Sequence, residues 1–531
     1  MALVRKQKCC FNNFNNKKLH YQGKAKFMSA PLQSIVESGI NEPVAEADDP
    51  LTLAENAAWR LAWEQPQWSA HSGASRSQCL ILISLLLLTG ALAVLKPLVW
   101  FAALGWGLAI FFSLVALFRT VLLTAGLFAA WRARSAVPGA SRIADADLPI
   151  YTVIAPLYDE PGSVAQLIDA LTRLDYPPHR LDIKLALEAD DEATLAAVRQ
   201  LDLPAHFQVL RVPPLAPRTK PKACNYALAA AAGAHVVIYD AEDIPDTDQL
   251  RRAVVAFRAG GPNLACLQAR LNYYNPRENW LTRQFTLEYS LWFDWLLPGL
   301  QALGLPIPLG GTSNHFRTGI LRQLGGWDAY NVTEDADLGL RLARRGYDCA
   351  VLDATTMEEA NCRHGNWLRQ RTRWQKGYMQ TWLVHMRRPL HLWRELGPRG
   401  FLGFQLFVGG TVALALSMPA AFLIFLLGVC ACGPQLPNIL TNLNGIVFIL
   451  GVTVNALGAA AGAVGRKYYS LLGDIILTPL YWGLTMLASL RALWQLAADP
   501  FYWEKTRHAI SHVAPLAHAR QVYLLKNHEC L

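Results

Sequence analysis

Uncharged apolar runs occupy only two stretches of this 531-residue chain, and that segregation limits its architecture more than any other feature. Cys79–Leu95 carries no charge, Lys96-Pro97 interrupts it, and Leu98–Phe118 continues apolar to Arg119. Each half approaches the ~20 residues that cross a bilayer core. Phe401–Cys432 and Ile446–Val464 follow much later, and a shorter run, Ile475–Leu490, lies between Asp474 and Arg491. From about Leu148 to Arg399 no comparable run occurs, and most charges sit there. The expectation is a soluble domain framed by membrane spans. The first run begins too late, and a second follows it too closely, for a cleavable signal peptide. Charged residues make up 17% of the chain, below the ordinary ~25%, which excludes a disordered or heavily solvated coiled-coil protein.

Basic residues set the orientation. Arg119, Arg132 and Arg134 follow the second run, and Arg387, Arg388, Arg394 and Arg399 precede the third. This places the central domain in the cytosol of a multi-pass inner (plasma) membrane protein. The C-terminal end does not close so simply. Arg466 and Lys467 sit inside if the third and fourth runs each cross once. A fifth crossing then puts Lys505, Arg507, Arg520 and Lys526 outside, against the rule. An interfacial helix within Phe401–Cys432, or a break at Pro479, are the two ways out, and the count stays at five or six. The expected layout is a largely disordered cytosolic arm over residues 1–75, with a short amphipathic helix at Leu51–Trp63 and Met28 as an alternative start. Two transmembrane helices follow over 76–135, then the domain at 148–390, three or four further helices over 400–497, and a tail, 498–531. The ten cysteines are scattered without a CxxC pair, so Cys224, Cys266, Cys349 and Cys362 are expected as free thiols.

Within the central stretch Tyr151–Pro156 is an apolar strand, Val164–Arg173 has helical spacing, and Ile183–Leu187 and Phe207–Val212 read as strands. Ala223–Ala232 reads as a helix and His235–Tyr239 as a fourth strand. This alternation predicts a parallel, doubly wound sheet with its ligands at the carboxyl ends of the strands. Those ends carry Glu160, Glu188, Asp190, Asp240, Glu242 and Asp243. One acid after a strand is commonly a turn former. Several in one crevice repel unless a cation or a positive ligand group neutralises them. Asp240, Glu242 and Asp243 offer the hard oxygens that suit Mg²⁺ or Mn²⁺ bridging phosphates. Lys222 stands upstream as a candidate partner for a diphosphate.

Four ordered motifs then carry a resemblance: Asp159-Glu160-Pro161, Asp240-Ala241-Glu242, Thr333-Glu334-Asp335 and Gln370-Arg371-Thr372-Arg373-Trp374. Over Leu148–Pro389 and the flanking spans the chain resembles processive family 2 glycosyltransferases, the cellulose synthase and hyaluronan synthase group. The resemblance implies an α/β GT-A (Rossmann-like) cytosolic domain inserted between α-helical transmembrane segments, with a nucleotide-sugar donor, usually a UDP-sugar. It implies that Pro156, Tyr158, Glu160, Glu188, Asp190, Lys222 and Asp240 surround the donor. Asp240 and Glu242 would hold the Mg²⁺ or Mn²⁺ ion, with Asp243 as an alternative second ligand. Asp335 would be the general base, its pKa raised by burial and by Glu334 and Asp337 beside it. Gln370, Arg373 and Trp374 would lie beside the acceptor and the departing diphosphate, as would Gly311, Asn314 and His315 of the loop Gly310–Phe316. His315 has no His or Cys partner at ligand spacing, so it reads as structural or acceptor-bonding rather than metal-binding.

Three departures stand out. Glu242 replaces the expected Asp, no cellulose-synthase-type gating segment is visible among the C-terminal spans, and no cyclic-dinucleotide-binding barrel follows Leu496. The element Pro500–His508 resembles one found at the C-terminus of bacterial cellulose-synthase-like transferases; its plain reading is an interfacial anchor. The expected activity is inverting polymerisation of a UDP-sugar into a β-linked exopolysaccharide, passed through the chain's own spans. The partners are the donor, a glycan acceptor, the lipid bilayer and, left open, export partner subunits. The alternative is single-sugar transfer to a polyprenyl phosphate or other lipid acceptor. A non-catalytic scaffold is disfavoured by the retention of Asp240, Asp335 and Gln370–Trp374. Nucleic acid is not an expected partner, because membrane-flanking arginines account for much of the net charge of +9.

Overall fold

The computed structural model describes residues 49–135, 143–430 and 438–513. Most of the expected arm (residues 1–48) and the end of the tail (residues 514–531) lie outside the described residues. Helices α1 (Pro50–Glu64), α2 (Arg76–Leu95) and α3 (Pro97–Ser135) come first. Residues 50–75, expected as part of a largely disordered arm, are instead folded from Pro50 onward. α1 buries Ala54, Ala57, Ala58, Leu61 and Ala62, and Asn225 of the α/β domain donates to the Ala57 carbonyl at 2.9 Å. Ser75 and Gln78 cap the start of α2 reciprocally, at 3.2 and 2.8 Å. Beyond the cap α2 buries no residue against protein. A leucine-rich helix of 20 residues is long and apolar enough to cross a bilayer core.

The first half of the domain runs β1 (Tyr151–Leu157), α4 (Val164–Thr172), β2 (Leu181–Glu188), α5 (Glu192–Arg199), β3 (Phe207–Val212), α6 (Lys220–Ala229) and β4 (His235–Ile238). The second half begins with β5 (Ile244–Pro245), α7 (Gln249–Ala259), β6 (Leu264–Tyr273), α8 (Trp280–Leu291) and α9 (Leu297–Ala302). It continues with β7 (Asn314–Arg317), α10 (Thr318–Gln323), α11 (Glu334–Arg344), β8 (Asp348–Glu358) and α12 (His364–His385). The sheet order is β3-β2-β1-β4-β7-β6-β8-β5. β1 to β4 are parallel; β1, β2 and β4 are buried on both faces, as parallel strands under helices must be, while β3 at the sheet edge is half exposed. The fully parallel sheet expected from the alternation is not what forms. β7 runs antiparallel to both β4 and β6. The loop before it arrives at the carboxyl end of β4, where the Ser313 N–H donates to the Ile238 carbonyl (2.8 Å), so the chain has to run back along that strand.

Four more helices follow: α13 (Pro389–Phe404), α14 (Gly410–Cys430), α15 (Asn438–Gly465) and α16 (Thr478–Ala498). Among the described residues five helical stretches are long and apolar enough to cross a membrane: Arg76–Leu95, Pro97–Arg132, Pro389–Pro419, Gly445–Gly465 and Tyr469–Ala498. Gly397, at φ 66°, kinks α13 just before Pro398. A 3₁₀ stretch, Tyr469–Leu477, precedes α16, whose first turn contains Pro479. The spans are seated directly on the domain. A Cβ on Gly126 of α3 would lie 2.4 Å from the Trp295 carbonyl oxygen, and one on Gly299 of α9 would lie 2.2 Å from that of Leu122, so backbones touch there. Arg466, after α15, grips Asp294 at 2.6 and 2.7 Å. Both ends of α16 are tied to the domain as well. Asp474 meets Arg283 (3.2 Å) and Gln284 (2.5 Å) before it. After it, Lys376 and Gln380 donate to the carbonyls of Tyr502 and Pro500, both at 2.8 Å.

Candidate active site

The carboxyl ends of β1, β2, β4 and β8 open on a cavity of about 1100 Å³. Pro156, Tyr158, Glu160, Glu188, Asp240, Glu242 and Glu358 line it from those ends. Glu334 and Asp335, in the first turn of α11, join them, at the helix end whose dipole favours anions. Asp335 is buried with Oδ1 unpartnered. Burial, and next the Glu334 carboxylate, hold its carboxyl well above the usual carboxylate range, against the pull of Lys220. Lys220 pairs with Asp240 at 2.6 Å. The expected help from Asp337 is absent. Two positions along a helix point to different faces, and Asp337 is fully buried against Arg341 (2.7 Å) and His385 (2.9 Å).

α12 supplies the other wall. Gln370, Arg373 and Trp374 all line the cavity. Asn361 donates to Gln370 at 2.7 Å. Arg371 grips Glu288 with two nitrogens, at 2.8 and 2.5 Å, and lies 4.8 Å from the centre of the Trp374 ring. α12 passes so close to Thr333 that a Cβ on Gly377 would lie 2.2 Å from the threonine oxygen. The tail closes the remaining side. Glu359 accepts the backbone N–H groups of Ala509, Ile510 and Ser511 at 2.6, 2.9 and 2.7 Å. So held, Lys505 reaches Glu160 (2.6 Å) and His508 reaches Glu242 (2.9 Å). Burial opposes the imidazolium, but Glu242 and Glu160 outweigh it and push His508 up to about 9. The Arg373 guanidinium sits 4.6 Å from the centre of the Trp503 ring. Pro500–His508 is therefore part of the site wall rather than only an interfacial anchor.

Five expected site residues do not line the cavity. Lys222 is fully buried and pairs with Glu188 at 2.9 Å, beneath the pocket instead of in it. Asp190 lies at the surface with Arg218 (2.6 Å). Asp243 turns inward, taking the Asp240 N–H (2.7 Å) and the Thr312 hydroxyl. Asn314 and His315 lie on β7, inside the sheet. His315 bonds the Tyr151 hydroxyl (2.7 Å) and Gln249 (3.1 Å), which makes it a core residue, and burial depresses it to about 3. Gly311 does reach the cavity, beside Gly310 and Thr312. Sequence reasoning missed Lys220, Glu358, Lys505 and His508. Glu358 ends a strand, the same signal that marked Glu188; Lys505 and His508 lay in the Pro500–His508 element, whose place in the fold its sequence did not show, and Lys220 carried no signal.

A Rossmann-like parallel half, extended by antiparallel β7 and bearing cavity-facing carboxylates after β4, defines a GT-A domain. Residues 149–377 match the model of the family described as glycosyltransferase like family 2, and the chain carries a glycosyltransferase domain of that family. A probable glycosyltransferase, YdaM, of Bacillus subtilis is 28% identical over 235 residues, covering 44% of this chain and 56% of the relative. A beta-monoglucosyldiacylglycerol synthase of Trichormus variabilis is 25% identical over 320 residues, 59% of this chain and 64% of that one. The glucomannan 4-beta-mannosyltransferase 2 of Arabidopsis thaliana is 26% identical over 227 residues, 39% and 40%. The chain thus spans less than two thirds of the length of each of these relatives. Among solved structures, the mannosyltransferase PcManGT from Pyrobaculum calidifontis, in complex with GDP-Man and Mn²⁺, aligns with a TM-score of 0.42 at 20% identity, over 73% of this chain and 99% of that one.

Proposed function

We propose that the protein is an inverting membrane glycosyltransferase that takes a nucleotide-sugar, in the first instance a UDP-sugar, and passes the sugar to an acceptor held between the domain and the apolar helices. One observation carries this: Asp240, Glu242 and Asp335 share a single cavity with Gln370, Arg373 and Trp374, and that cavity continues between α3, α14, α15 and α16. The residues fit a divalent ion. Asp240 and Glu242 are cavity-facing hard donors, and among the described residues no set of three His, Cys, Asp or Glu side chains forms a protein-only cage. Mg²⁺ and Mn²⁺ use such a pair together with phosphate oxygens and water. When bound, the ion supplies Lewis-acid stabilisation of the leaving diphosphate. Lys220 and Arg373 add positive charge on the same side. Asp335, made more basic by its buried acidic surroundings, takes the proton of the attacking hydroxyl. A single displacement inverts the anomeric centre. Trp374 offers a face on which a sugar ring can rest. The domain is proposed to sit on the cytosolic side of the plasma membrane.

Two acceptor classes have support. A growing β-glycan, extended and translocated, is favoured by the Gln370–Trp374 element and by Tyr289, Trp292 and Trp482 in the chamber wall. A lipid is favoured by the apolar lining from the spans, Val115, Ala116, Leu414, Ala415, Val447 and Val452. Purified protein offered UDP- and GDP-sugars with Mg²⁺ or Mn²⁺ tests the activity. Release of nucleotide from GDP-sugars alone would overturn the UDP assignment. Butanol-soluble product marks a lipid acceptor, and an ethanol-precipitable polymer a glycan. Asp335→Asn is expected to lower transfer about 10²–10⁴-fold with donor binding intact by calorimetry; wild-type transfer by that variant would sink the mechanism.

A further inference from the structure

The chamber wall holds a cation, Arg119, that the proposed transfer does not use and that, unlike Arg218 and Arg371, pairs with no carboxylate among the described residues. On α3, Phe112, Val115, Ala116 and Arg119 line the cavity, spaced as one face of a helix. Arg119 lies about 33 Å along α3 from Pro97 at 1.5 Å per residue, close to one bilayer core. A bilayer core beginning at Pro97 would end near this residue, at the level of the lipid headgroups. Its Nη1 donates to the Asn455 amide oxygen of α15 at 2.5 Å, a neutral partner. Among the described residues it forms no ion pair. The carboxylate on the neighbouring chamber wall, Glu288, is already taken by Arg371 at 2.8 and 2.5 Å and by the Tyr481 hydroxyl at 2.6 Å. Glu288 acts on Arg119 only at a distance, so among the described residues no carboxylate touches this guanidinium. Arginines inside membrane helices are costly, and they pair or mark a binding path.

We infer that Arg119, held toward the chamber by Asn455, forms a binding site for the phosphate of a membrane lipid, whose acyl chains lie along the apolar walls of α3, α14 and α15. Those walls decide between lipid and free anion. Leu414, Ala415 and Met418 from α14, with Val447, Phe448 and Val452 from α15, offer a sugar or an inorganic ion no hydrogen bonds, whereas an acyl chain covers them. A guanidinium matches phosphate with paired donors, and Asn455, its amide nitrogen bonded to the Gly451 carbonyl at 2.8 Å, holds that guanidinium through its oxygen. Lipid binding at this site is independent of the transferase reading. Only the role of that lipid as acceptor rests on it.

The test uses the full chain in neutral detergent, equilibrated with phosphatidic acid or with diacylglycerol of the same chains, and retained lipid is read by native mass spectrometry. Wild type is expected to retain phosphatidic acid about tenfold over diacylglycerol, the size of one charge-assisted contact. R119Q is expected to lose that preference and R119K to keep it. N455A, which removes the interhelical hydrogen bond but not the charge, is expected to keep it too, which separates binding from helix packing. Inorganic phosphate at equal concentration is expected not to displace the lipid. Equal retention of both lipids by wild type overturns the site whether or not R119Q folds. So does a preference that survives in R119Q, or displacement by inorganic phosphate. Transfer activity enters none of these readings, so loss of the glycosyltransferase assignment would show separately, in nucleotide release.

Discussion

Lys220 and Lys222 are two residues apart on the first turn of α6, and they do opposite things. Lys220 faces the cavity and holds Asp240; Lys222 points beneath it and holds Glu188 with no exposure of its own. Spacing along the chain shows that both lie near the strand ends but not which one turns inward. The same limit explains Asp243 and His315. The acids after β1, β2 and β4 were legible because an α/β sheet presents those loops at one edge. The direction of each side chain was not, because it depends on turn and helix geometry. The buried pair makes a prediction. Lys222→Met strands the Glu188 carboxylate and is expected to cost about 3–5 kcal/mol of stability, with much of it recovered in the double variant with Glu188→Leu, both read by chemical denaturation. A second prediction concerns acid. The folded-state pKa of His315 is depressed to about 3 from about 6.5. Its contribution is fully present above pH 6.5 and is lost as pH falls toward 3, at about 1.4 kcal/mol per unit. His315→Gln, which does not titrate, is expected to flatten the fall of stability between pH 6.5 and 4.

At the scale of elements, α12 and the tail were the least legible. QRTRW placed Gln370, Arg373 and Trp374 on a helix near the site, but nothing local showed how tightly α12 presses on the Thr333 loop. That contact predicts that Gly377→Ala, whose new methyl group meets Thr333, lowers transfer by at least about tenfold, because a displacement near 1 Å can cost ~10²-fold. A donor affinity close to wild type would show that the loss lies in the chemistry. The tail's destination was hidden because its anchors, Glu359 and Glu278, lie far upstream. Glu359→Gln replaces charge-assisted hydrogen bonds, each worth about 1.5–3 kcal/mol, with neutral ones. Amide exchange at residues 505–511 is expected to rise by at least about tenfold, and an unchanged rate would mean the tail is held elsewhere. The short strand β7 was unreadable for another reason: four residues, three of them polar, carry too little alternation to show direction.

At the scale of the whole molecule, the ties at both ends of α16 bear on how the apolar helices sum. α1 and the segment before α2 are bound to the domain through Asn225, Asp328 and Arg387. Arg466 returns the chain to the domain after α15. α16 leaves from the domain and comes back to it, with Leu480, Leu487 and Trp494 exposed. The arrangement expected from these ties is that α16 lies along the membrane surface while α2, α3, α14 and α15 cross, which would remove the conflict between a fifth crossing and the basic tail. The prediction is that a cysteine placed at position 67 and one at position 512 react with an impermeant maleimide from the same face of sealed vesicles; labelling from opposite faces would restore the fifth crossing.

The strap held by Glu359 also has a consequence in time. Residues 499–511 leave the ribosome only after α2, α3, α14 and α15 have been made. Until they arrive, Glu160 and Glu242 lack Lys505 and His508, and one wall of the site is missing. The eight strands of the sheet all precede residue 359 and include none of this strap, so the sheet can pair before that wall of the cavity exists.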